Sequence, residues 1–75
     1  SRKERITQIK YLLKNVNRQQ LYKCFNAFGN LAEKCGSIFI IIEAKSEEGI
    51  DENWLKNAVE EPIEEVGVEI EKEEK

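Results

Sequence analysis

The stretch that most restricts this chain is GSIFIIIEAKSEEGIDENWL, residues 36–55, in which Ile38, Phe39, Ile40, Ile41 and Ile42 follow one another before the sequence turns acidic. An uncharged β-branched and aromatic run of this length, bounded by Gly36 and a polar loop, predicts a strand rather than a helix. Its alternating rows are Ile38, Ile40, Ile42 and Ala44 on one face and Phe39 and Ile41 on the other. A strand apolar on both faces belongs at the centre of a sheet, covered from two sides.

The flanking segments suit edge positions. In ITQIKYLLK, residues 6–14, Ile9, Tyr11 and Leu13 alternate with polar neighbours, a period of two, although Ile6, Ile9, Leu13 and Val16 also fit a helical period. VEIE, residues 68–71, alternates as a short third strand with Val68 and Ile70 inward. Between these lie two helices. Asn17 with Gln20 three residues later forms a capping-box signature. Leu21, Cys24, Phe25, Phe28, Leu31, Ala32 and Cys35 then recur at three- and four-residue intervals, one apolar stripe ended by Gly36. Within it Gly29 costs about 1 kcal/mol relative to alanine, a cost that a close packing approach could explain. Asp51 caps the second helix, Leu55, Ala58, Val59, Ile63 and Val66 carry its apolar spacing, and Gly67 ends it. Pro62 has no amide hydrogen and its ring clashes with the Ala58 carbonyl, so a kink or restart is expected there.

The order β-α-β-α-β predicts an α/β domain with a three-stranded, mainly parallel sheet in the order 1-2-3. Right-handed crossovers then place both helices on one face. The other face is left open, and Leu12, Phe39 and Ile41 are the residues assigned to it. The competing order 2-1-3, with one helix on each face, would put the lysine-bearing first strand at the centre. At 75 residues the chain reads as a single small domain over 1–75, with residues 72–75 a fraying tail. Because it begins with Ser1, it reads as a fragment of a larger chain.

Charge divides sharply along the sequence. Residues 1–42 carry eight bases against two acids, net +6, and the remainder thirteen acids against four lysines, net −9. Arg5, Lys10, Lys14, Arg18 and Lys23 make a candidate basic patch, with Tyr11 and Tyr22 available to stack on bases. The acidic half opposes nucleic acid, so a protein partner, whether a parent chain or a second copy, is the favoured expectation and a nucleic-acid-binding module the alternative.

Chemistry is sparse. The four glycines are isolated from one another, so no phosphate-cradling loop exists, and the absence of histidine removes Ser-His and Cys-His nucleophiles. Cys24 and Cys35 fall on the apolar stripe about 16 Å apart along the helix axis. That exceeds disulfide reach and predicts core thiols in a reducing, cytoplasmic setting. Glu47, Glu48, Asp51 and Glu52 lack the alternating ligands of a calcium loop, and acids gather at helix starts in any case. Trp54 is expected as a lid on the core. No catalytic residue, cofactor or metal ligand is assigned, no membrane partner is expected, and the fragment itself is not expected to be an enzyme.

The runs LYKCFNAF, GSIFIIIEAKSEEGI and EEPIEEVGVEI together resemble the C-terminal end of a family of large predicted AAA-type ATPases of archaea and bacteria, whose function is uncharacterised. The resemblance spans about Tyr11 to Ile70 and rests on apolar spacing and the Gly-Ile turn. The family's nucleotide-binding motifs lie upstream of this region and transfer no residues here. It implies an accessory, non-catalytic domain that docks on its parent chain.

Overall fold

A computed structural model describes residues 4–74. It contains helices joined by irregular backbone and, among the described residues, no strand. The α/β expectation is therefore overturned: residues 6–14, 37–44 and 68–71 pair into no sheet, in neither the 1-2-3 nor the 2-1-3 order. The physical reason is that a strand is completed by another backbone. Alternation and β-branching bias a segment locally, but its amides and carbonyls need a ladder partner from elsewhere in the chain. A helix closes its own hydrogen bonds and needs no such partner.

The chain divides into two compact units, Ser1–Ile40 and Ile41–Lys75. Among the described residues of each, no two Cα atoms twelve or more positions apart come within 8 Å. No described residue is buried, so neither unit has a core on which two helices could be layered.

The first unit is organised around α1, Arg18–Cys35. Asn15 takes a left-handed conformation (φ 57°), which asparagine tolerates better than most residues, and turns the chain just before the helix. The capping box forms as the spacing predicts. The Gln20 amide donates to Asn17 Oδ1 at 2.9 Å, and the Asn17 amide donates to Gln20 Oε1 at 3.1 Å. Two of the orphan donors at the helix start are thereby satisfied. Gly36 (φ 87°) ends the helix with a backbone that a side chain would strain. Cys24, Phe28, Leu31 and Ala32 on the stripe are half-buried, whereas Leu21, Phe25 and Cys35 are exposed.

The second unit is built differently. The Gly49 amide closes a turn onto the Ser46 carbonyl at 3.1 Å. Asp51 then caps α2, Glu52–Leu55, by accepting from the Trp54 amide at 2.9 Å. A π-helical turn, Lys56–Glu60, follows, and α3, Glu61–Glu65, completes the run. The disruption expected at Pro62 thus takes a definite form. The Glu61 amide reaches back five residues to the Lys56 carbonyl, and the widened turn accommodates a proline that cannot donate to Ala58. α3 ends in a Schellman motif. The Val68 amide bonds the Ile63 carbonyl at 3.4 Å and the Gly67 amide bonds that of Glu64 at 2.9 Å, with Gly67 left-handed.

The tail then doubles back. Lys72 Nζ lies 2.9 Å from Glu60 Oε2 and 3.0 Å from Glu74 Oε1. Reaching Glu60 requires the segment after Gly67 to return alongside the helix, and Ile70 on that segment is half-buried, as are Val59 and Ile63. Hydrogen bonds donated to the carboxylates of Glu60, first, and Glu74 raise the Lys72 ammonium above its ordinary pKa.

Candidate functional site: a basic aromatic face on the first helix

Residues four and seven positions apart on a helix share a face. Arg18, Tyr22, Phe25 and Gly29 follow that spacing along α1. Arg18 and Tyr22 border two adjoining shallow depressions, one completed by Gln19 and Lys23, the other by Leu21 and Phe25. The rings of Tyr22 and Phe25 lie 6.2 Å apart between centroids and are tilted by 52°. This is within the range of favourable edge-on aromatic pairs. Both rings stay open, with Tyr22 76% and Phe25 57% exposed.

Gly29 extends this face. A helical side chain leans toward the N-terminus and covers the turn before its own Cα, so a side chain at position 29 would project over the surface beside Phe25. Nothing lies within 4 Å of where its Cβ would stand. Among the described residues, the close approach that could explain this glycine is therefore not made. The outcome of having glycine here is an uncovered shelf next to two aromatic rings.

The expected site residues divide. Of the basic patch, Arg18 and Lys23 come together on α1, whereas Arg5, Lys10 and Lys14 lie on the irregular segment before it and line neither depression. The three residues assigned to an open sheet face, Leu12, Phe39 and Ile41, are all exposed, Phe39 fully so, but no sheet unites them. Trp54 is also exposed and lids nothing, which corrects the expectation for it. Cys24 and Cys35 are both free, and only Cys24 is even half-buried, so they are not a pair of core thiols. Among the described residues no group of three or more Cys, Asp or Glu is placed to hold a metal ion. In the acidic loop, Asp51 is committed to its capping bond with Trp54. No helix among the described residues is long and apolar enough to cross a membrane.

Tyr22 is legible from the sequence as a stacking candidate, whereas Phe25 reads there as part of the apolar stripe and its partnership with Tyr22 appears only in the structure. The available signal was the aromatic pair at i and i+3 followed by glycine on the same face. Comparison with protein-family models, with curated proteins and with solved structures finds no match to this chain.

Proposed function

We propose that this chain is a non-catalytic interaction module that docks on a protein surface, either that of a larger chain to which it is accessory or that of a second copy, through the apolar stripe of α1. One observation carries the reading: Leu21, Cys24, Phe28, Leu31 and Ala32 form a continuous stripe on a doubly capped helix, yet none is buried. Monomeric soluble proteins rarely leave a contiguous apolar patch of more than a few hundred Å² uncovered. Removing such a stripe from water contributes roughly 25 cal/mol per Å². The accessory role implied by the resemblance to large predicted ATPases fits a module of this kind. Two unpaired thiols fit a reducing, cytoplasmic setting.

Sedimentation velocity over a concentration series, read together with thiol labelling, tests the proposal. Self-docking covers Cys24, so Cys24 labelling slows as the sedimentation coefficient rises. Docking on a larger chain slows Cys24 labelling only when that chain is attached. Cys24 labelling at one unchanged rate, alone at every concentration and also within a larger chain, would remove the reading.

A further inference from the structure

The alternative partner class gains a specific site from α1. We propose that the face formed by Arg18, Tyr22, Phe25 and Gly29 binds single-stranded nucleic acid, with bases stacking on the two rings and phosphates held by Arg18, Lys23 and the basic segment that leads into the helix. Three independent observations converge on this chemistry. The rings are exposed and adjacent, as a stacking platform requires. A guanidinium and an ammonium flank the same depression, where a backbone following the stacked bases would pass. Gly29 leaves bare the shelf beside Phe25, at a cost in helix propensity that no contact among the described residues offsets.

Charge supports the same assignment. Between Glu4 and Glu33 the sequence contains no acid, while Arg5, Lys10, Lys14, Arg18 and Lys23 all lie there. The acids that give the chain its net negative charge lie, apart from Glu4 and Glu33, in residues 41–75. An acidic peptide would use the positive charges but leave the paired rings idle. A duplex hides its base faces in the stack. A single strand engages both features.

The test is fluorescence anisotropy of the intact chain with a labelled oligothymidylate of about 12 nucleotides, within the length a single-strand site spans. Binding is expected at about 50 mM salt, and neutralisation of about four phosphates predicts a roughly 50-fold loss of affinity by about 200 mM. A duplex of equal length, and polyglutamate as competitor, should each bind at least about tenfold more weakly, because neither offers a base face. Tyr22→Leu keeps an apolar helix former but removes the ring, and should weaken binding about tenfold. Gly29→Ala should weaken binding while raising helicity by circular dichroism, which separates covering of the shelf from loss of the helix. Neither Tyr22 nor Gly29 belongs to the apolar stripe, so protein docking is expected to survive both variants. The proposal is overturned by absent binding at low salt, by equal affinity for duplex or polyglutamate, or by either variant binding like the parent chain.

Discussion

The two units solve the same problem, holding a helix without a core, in different ways. In the first, α1 runs without interruption from a reciprocal capping box to a left-handed glycine, and its apolar residues stay on one continuous stripe. In the second, proline interrupts the run. Residues 52–65 pass through a widened turn, and the returning tail is tied down by Lys72. The first presents an unbroken surface in basic surroundings. The second turns in on itself in acidic surroundings, with Ile70 half-buried on the returned segment. The difference teaches that the capped, uninterrupted helix has its apolar side free for a partner. The interrupted one is followed by a segment tied back to Glu60 through Lys72.

The contrast can be broken most strongly at Pro62. Pro62→Ala restores an amide donor opposite the Ala58 carbonyl and should convert the π turn to regular α-helix. The resulting stabilisation of the helix is up to about 3 kcal/mol, the difference between proline and alanine in a helix interior. Circular dichroism and amide exchange check it, the Glu61 amide exchanging its bond from Lys56 to Asn57. An unchanged exchange pattern would mean that the widened turn has a cause other than proline.

Next in size is Phe28→Asp, which places a charge in the middle of the α1 stripe. Loss of a central aromatic contact is expected to weaken docking by about 2 kcal/mol or more, roughly 30-fold, measured by sedimentation. The corresponding substitution on the second unit, Val59→Asp, should leave association intact and instead loosen the returned tail. If both variants lower association equally, the assignment of roles to the two units fails.

Asn17→Ala removes one half of the capping box. It should lower α1 stability by about 1 kcal/mol, seen as reduced helicity and faster exchange at Gln20, with the second unit unaffected. Equal loss in both units would show that they are coupled.

The smallest effect belongs to the exposed ion pairs at Lys72, whose strength is limited by solvent. Lys72→Met should speed amide exchange at Ile70 without altering either helix. The pKa of Lys72 is raised in the folded unit, so the contribution of the latch is fully present below its ordinary value of 10.5. It is lost as pH rises through the higher folded value, and the tail therefore stays latched across the neutral range and opens only in strong alkali.

The local elements were legible in the sequence because each is decided by residues a few positions apart. Asn17 and Gln20 meet across one turn, Asp51 reaches the Trp54 amide, and Gly36 and Gly67 supply the left-handed residues that stop a helix. Pro62 announced a disruption, although not its π form, because the same steric conflict can be relieved by a kink, a restart or a widened turn. Of the candidate site, Arg18, Lys23 and Tyr22 could be chosen by charge and aromaticity. Whether Phe25 faced inward with the stripe or outward beside Tyr22 depended on how much of the stripe was covered, which periodicity does not state.

By itself the sequence determined where the helices begin and end, the division of charge between the halves, and the apolar stripe along α1. All of these follow from short-range hydrogen bonding and from the order of residues on a helical surface. Only the tertiary structure decided the fate of Ile38–Ile42 and of the segments around Leu12 and Val68. Their β-branched, alternating character is a preference that becomes a strand only when another backbone supplies the missing hydrogen bonds. Among the described residues no other segment does so, and the fold therefore rests on helices that satisfy themselves.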